Sequence, residues 1–139
     1  MTLSMASMLR LSRNLLIATV VVWASVSWAS NESLGLQCQL FAGGEDHVFS
    51  FAPVRHPYRA KPIDLERFRF KATVYQDSES VNYIKITVSY LSSQQALILQ
   101  QATYLPPFVI NQTLTGRQQL YSPELGRELS YDCAVVSAP

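Results

Sequence analysis

The most concentrated chemistry in this sequence is basic. Six of the nine lysines and arginines that follow residue 29 lie within residues 55 to 71, beside a histidine and a tyrosine. Such a segment favours an anionic partner: a lipid head group, an acidic glycan, phosphate or an acidic protein surface. A solvated strand face neutralised by Asp64 and Glu66 would use the same residue types. The candidate binding residues are Arg55, His56, Tyr58, Arg59, Lys61, Arg67, Arg69 and Lys71.

No catalytic residue is predicted. Asp46, His47 and Ser50 are the residue types of a hydrolytic site, but neighbours on an extended chain point to opposite faces. Asp46 therefore cannot readily orient His47, and no G-x-S-x-G motif accompanies them. The sequence shows neither an activated nucleophile nor a phosphate-binding loop. We expect a non-enzymatic protein that needs no cofactor.

Two cysteines, Cys38 and Cys133, lie near the two ends of the part of the chain that follows residue 29. They form no C-x-x-C motif, and two histidines alone are a poor complement for a zinc site, so no metal site is predicted. An even pair of this kind predicts one structural disulfide, typical of an oxidising compartment.

The first 29 residues predict an export signal. Arg10 and Arg13 precede an apolar run over residues 15 to 23, and small residues at Ser27 and Ala29 fit a cleavage site. The alternative is an uncleaved membrane anchor. A spanning helix needs roughly 20 apolar residues, and the run here is shorter than that. We therefore predict a cleaved signal peptide over residues 1 to 29, one β domain over residues 30 to 139 without a membrane span, and a periplasmic or secreted location.

Net charge excludes one class of partner. Two of the eleven lysines and arginines lie in the predicted signal, which leaves nine against ten acidic residues and a formal charge near −1. This balance predicts no binding to nucleic acid. The expected partner is an envelope protein or an anionic ligand.

The elements that position these residues alternate apolar and polar side chains with a period of two, which is typical of half-buried strands. Cys38 and Cys133 lie on the inward faces of the first and last of them. The sequence predicts an all-β fold: a single small antiparallel β-sandwich or partly closed barrel of about six to eight strands, with a disulfide joining the first and last strands. Candidate strands cover residues 34 to 40, 48 to 51, 65 to 75, 81 to 90, 96 to 104, 108 to 114 and 129 to 135.

Pairing of the third and fourth candidate strands depends on register. Opposing Tyr75 to Val81, or Gln76 to Asn82, makes their apolar faces coincide and leaves a five-residue loop. A slip of one residue would place Ile84 on the basic face.

The function predicted from these features is an exported, non-enzymatic binding module of the cell envelope. One alternative is a small barrel that encloses an apolar ligand. Another is a secreted hydrolase or hydrolase inhibitor, although an inhibitor of a basic enzyme should carry an acidic surface. The residues that would line the cavity of the barrel are Phe68, Phe70, Ile84, Ile86 and Leu99.

Overall fold

A computed structural model of the chain describes residues 32 to 124 and 126 to 138. The predicted signal peptide lies outside these residues. Among the residues described, no helix has the length and apolar character needed to cross a membrane.

The described part of the chain contains β-strands and a short 3-10 turn at Pro57–Arg59, with no α-helix. The strands form two antiparallel sheets, a first sheet in the order β2-β1-β8-β7 and a second sheet in the order β3-β4-β5-β6. This confirms the all-β prediction. The strands are β1 Leu34–Ala42, β2 Glu45–Phe51, β3 Ile63–Leu65, β4 Phe68–Tyr75, β5 Tyr83–Leu91, β6 Ala96–Tyr104, β7 Gln118–Tyr121 and β8 Glu128–Ser137.

The two sheets pack face to face around one apolar core. The Phe70 ring lies 6.0 Å from Phe51 and 5.2 Å from Tyr131, so it contacts two strands of the opposite sheet. Tyr131 also donates its hydroxyl proton to Gln100 Oε1 across the core, at 2.5 Å. Alternate residues of β1, β4, β5 and β8 supply most of the buried side chains, which gives a sandwich-like arrangement.

The predicted disulfide is present. Cys38 on β1 and Cys133 on β8 lie directly opposite each other, with Cα atoms 4.1 Å apart and both side chains fully buried. The first and last strands are therefore neighbours in one sheet, and the disulfide joins the centre of each.

The register of β4 and β5 corresponds to the second of the two predicted alternatives. Phe68 pairs with Tyr90 and Tyr75 with Tyr83, which is the register predicted from Gln76 and Asn82. The ladder ends at Tyr75 and Tyr83, so the connection has seven residues, 76 to 82, and not the five predicted. The alternating residues from Phe68 to Val74 and from Ile84 to Tyr90 are buried on the same side of the sheet. The match of apolar faces therefore selected the register.

The predicted strand over residues 65 to 75 was wrong at its start. Leu65 pairs with Phe68, and the two residues between them form a tight turn in which Glu66 has φ 55°. This left-handed conformation ends β3 and begins β4. Arg67 consequently lies in the turn and not on the strand face that carries Arg69.

The candidate strand over residues 108 to 114 was also wrong. Asn111 has φ 67°, and Thr113 forms an isolated β-bridge with Ala134, flanked by backbone hydrogen bonds from Asn111 to Val135 and from Leu114 to Cys133. The positive φ turns the chain and prevents a continuous ladder. The edge of the first sheet instead includes β7, a short strand rich in glutamine that has little apolar periodicity.

The strand predicted over residues 48 to 51 is longer than expected. Ala42 pairs with Glu45, and Gly43 and Gly44 between them have φ values of 62° and 83°. Positive φ at both central residues is the requirement of a two-residue hairpin turn, which glycine meets without steric cost. β2 therefore begins immediately after the turn.

Candidate anion-binding face

Four polar residues lie together on the outer surface of the second sheet. Lys71 pairs with Thr87 and Thr73 pairs with Lys85, so these side chains lie on the sheet surface opposite the core. Lys71, Lys85 and Thr87 are half-buried there, whereas Thr73 is only 5% exposed. Lys71, Thr73, Lys85 and Thr87 therefore share one face, which we call the lysine face. Its position depends on the register set by the apolar residues beneath it.

The two lysines are diagonal neighbours across the β4–β5 pair, a geometry that places the residues about 7–8 Å apart and their Cβ atoms somewhat closer. Within the described residues, neither Lys71 nor Lys85 forms a salt bridge. Two like charges on adjacent strands repel each other. An anion placed between the ammonium groups would relieve that repulsion.

A shallow depression of about 290 Å³ lies over the lysine face. Besides the four residues of the face, it is lined by Pro57, Tyr58 and Tyr83. The side chain of Tyr58 is 97% exposed, and the Tyr83 ring lies 5.0 Å from Tyr75. Ammonium groups, hydroxyls and aromatic rings together suit a carboxylate, sulfate or phosphate group carried on a larger molecule.

Arg69 lies on the same sheet surface but is already neutralised. Its guanidinium donates to Asp64 at 2.7 and 2.9 Å, one bond to each carboxylate oxygen. These hydrogen bonds hold the pKa of Asp64 below its ordinary value and raise the pKa of Arg69. Arg69 therefore contributes less to an anion site than Lys71 does.

The remaining candidate binding residues are distributed over other parts of the surface. Arg59 and Lys61 line a different depression, of about 340 Å³, together with Phe51 and Val74. Arg67 is exposed in the β3–β4 turn. Arg55 and His56 are exposed in the loop before the 3-10 turn, while Tyr58 reaches the lysine face. The basic residues between positions 55 and 71, which are close in sequence, therefore lie on different parts of the surface.

Sequence reasoning missed Lys85 as a site residue, together with Thr73, Tyr83 and Thr87. Lys85 lies well outside the basic segment, and only strand pairing brings it beside Lys71. The register predicted from Gln76 and Asn82 contained this information, because it already places Lys85 diagonal to Lys71.

The residues considered for hydrolysis do not assemble into a catalytic group. Asp46 pairs with Phe41 on the outer surface of the first sheet, whereas His47 packs against Phe49 with ring centroids 6.1 Å apart. The His47 imidazole lies 3.7 Å from the Glu45 carboxylate. Asp46 and His47 thus occupy opposite faces of β2.

The core between the two sheets consists of packed side chains at the positions considered for a ligand cavity. Phe68, Phe70, Ile84 and Ile86 are each at most 1% exposed and belong to the core, and Leu99 packs against it partly buried. In residues 32 to 124 and 126 to 138, no group of three or more His, Cys, Asp or Glu side chains is placed to hold a metal ion.

Comparison with known proteins gives no relative. No family model matches this sequence, and searches of curated proteins and of solved structures find no match. The function of this chain is therefore inferred from its own geometry.

Proposed function

We propose that this chain is an exported, non-enzymatic module of the cell envelope that binds an anionic group through the lysine face. The observation that carries the proposal is the pair Lys71 and Lys85, held on adjacent strands without a carboxylate partner among the described residues. The Thr87 hydroxyl supplies a neutral donor beside them, and Thr73, which is 5% exposed, lines the same depression. Tyr58 provides an exposed aromatic surface at the rim.

Export is supported by the disulfide and by the composition of residues 1 to 29. Disulfides persist mainly in oxidising compartments outside the cytoplasm. The ligand carries its charge on a planar or tetrahedral oxyanion, because two ammonium groups and a hydroxyl can donate to several oxygens at once.

The proposal is tested by comparing two pairs of substitutions that remove equal charge. Lys71→Gln with Lys85→Gln removes both ammonium groups of the lysine face. Arg67→Gln with Arg117→Gln removes two exposed cations that lie outside it. Binding is measured by fluorescence anisotropy with a labelled heparin hexasaccharide and, separately, with a labelled polyglutamate peptide.

We expect the lysine pair to weaken binding of at least one probe by about tenfold or more, since charge-assisted hydrogen bonds are lost. The arginine pair should change affinity by less than about twofold, and binding should fall with added salt. Equal losses in both variants would instead indicate an unlocalised charge effect. Absence of binding to both probes by the native protein would also contradict the proposal.

A further inference from the structure

One edge of the second sheet is open. β6, Ala96–Tyr104, pairs with β5 on one side, and no strand within the described ranges pairs with its other side. An edge strand presents unpaired backbone donors and acceptors to any other extended chain. Natural sheets usually discourage such contact by charge, proline or short length.

The other three edge strands have these protective features. β2 begins with Glu45, Asp46 and His47. β3 has only three residues and contains Asp64. β7 has four residues and follows Arg117. Each is a poor template for a further strand.

β6 has none of these three protective features. It has nine residues with the sequence ALILQQATY, which contains neither a charged residue nor proline. It belongs to a longer stretch, residues 86 to 116, without a single Asp, Glu, Lys, Arg or His. A β-bulge at Leu99 interrupts its ladder with β5, yet residues 100 to 104 on the far side of the bulge pair regularly.

The backbone groups that face outward on β6 can be assigned from the ladder. Leu91 donates its N–H to the Arg67 carbonyl at 2.7 Å in the β4–β5 register, so odd-numbered residues of β5 bond toward β4. Even-numbered residues of β5 then bond toward β6, where Ile86 pairs with Ala102. The N–H and C=O groups of Gln101 and Thr103 consequently point away from the sheet.

A second copy of the same strand fits this edge well. In antiparallel pairing about a twofold axis, each side chain meets its own counterpart or a near neighbour, so a charged strand would oppose like charges. β6 has no charge to oppose. About a centre at residue 102, Gln101 of one copy meets Thr103 of the other, and both side chains can donate and accept hydrogen bonds. Exposed apolar side chains at Ile98 and Leu105 (64% and 71% exposed) lie on the same segment.

We propose that β6 is a self-association edge, through which two copies of this chain pair antiparallel to extend the second sheet across a twofold axis. The contact is centred on residues 100 to 104, and it leaves both lysine faces on the same side of the joined sheet. It is independent of what the lysine face binds.

The test is the mass of the disulfide-bonded protein, without its predicted signal, measured by sedimentation over a range of concentrations. The native protein should pass reversibly from monomer to dimer as concentration rises. Gln101→Lys with Thr103→Lys should weaken the dimer by at least about tenfold, because like charges then face each other. The matched control, Gln37→Lys with Gln39→Lys, places the same two charges on the central strand β1 and should dimerise as the native protein does.

A second measurement needs no variant. Amide hydrogen exchange of the native protein at low and high concentration should show added protection at Gln101 and Thr103 in the concentrated sample. A monomer at every concentration would overturn the proposal, as would a dimer that survives the Gln101 and Thr103 substitutions. Open-ended oligomers would also overturn it, because a twofold contact closes on itself.

Discussion

Among single residues, Tyr90 stands out because its buried hydroxyl forms no hydrogen bond with the described part of the chain. The Tyr90 ring packs edge-on against Phe68 with centroids 5.9 Å apart. A buried hydroxyl without a partner has a desolvation cost that phenylalanine does not have.

We therefore predict that Tyr90→Phe leaves stability unchanged or raises it by up to about 1 kcal/mol. The aromatic contact with Phe68 is retained, and only the unpaired oxygen is removed. Urea denaturation measures the change. A loss of more than about 0.5 kcal/mol would contradict this interpretation, because a satisfied hydroxyl is worth that much or more.

Tyr131 differs from Tyr90 because its hydroxyl donates to Gln100. Burial, and secondarily the nearby Tyr104, raises the pKa of Tyr131 to about 12. The folded state holds the Tyr131 proton more tightly than the unfolded chain does. The contribution of this proton to the free energy of unfolding is therefore fully present below the ordinary tyrosine pKa of about 10. It is lost as pH rises from about 10 to about 12.

The resulting prediction is that native stability falls by about 2–3 kcal/mol across this window through Tyr131 alone. Tyr131→Phe should be less stable at neutral pH by about 1 kcal/mol, through the lost hydrogen bond, and should show a flatter profile above pH 10. Tyr121→Phe, on an exposed residue of β7, is the control and should keep the native profile. An unchanged slope in Tyr131→Phe would contradict the assignment.

Among the strands, β1 and β8 form the centre of the first sheet and are joined both by backbone pairing and by the disulfide. They are paired over nine residue pairs, from Leu34 with Ser137 to Ala42 with Leu129. The disulfide adds a covalent link between residues 95 positions apart in sequence. Closing so long a loop restricts the unfolded chain more than the folded one.

Reduction should therefore lower the free energy of unfolding by about 4–5 kcal/mol on the chain-entropy estimate. Urea denaturation of the same protein with and without reductant measures this directly and needs no substitution in the core. Matching midpoints in the two conditions would show that the bond adds nothing beyond strand pairing.

The strands that could be predicted from sequence are those in which every second side chain is buried, because burial then imposes an alternating apolar pattern. The β4–β5 register followed from matching Phe68 to Val74 against Ile84 to Tyr90, since a slip would expose them. The positive φ at Glu66 and at Asn111 could not be inferred in this way, because such turns depend on how the flanking strands meet. Lys85 was missed because the basic residues were grouped by sequence distance and not by strand pairing.

At the scale of the whole molecule, a net charge near zero conceals two unlike surfaces. The outer face of the second sheet presents Lys71 and Lys85. The outer face of the first sheet presents Asp46 and Asp132, with Arg117 beside them. An anionic ligand should therefore approach the second sheet and be repelled by much of the first.

Pairing through β6 would place two lysine faces on one continuous surface. A ligand with repeated charges, such as a polymer, could then contact both copies, and the second contact would form at a high effective concentration. Binding at the lysine face and association at the β6 edge would reinforce each other without sharing any residue.

The most direct test of the lysine face is residue-by-residue mapping by NMR. The labelled native protein is titrated with the heparin hexasaccharide or the polyglutamate peptide, whichever binds more tightly, and amide shifts are followed. We predict that the largest shifts occur at Lys71, Thr73, Lys85 and Thr87. Shifts centred on the loop from Arg55 to Lys61 or on Arg67, with the lysine face unchanged, would contradict the account.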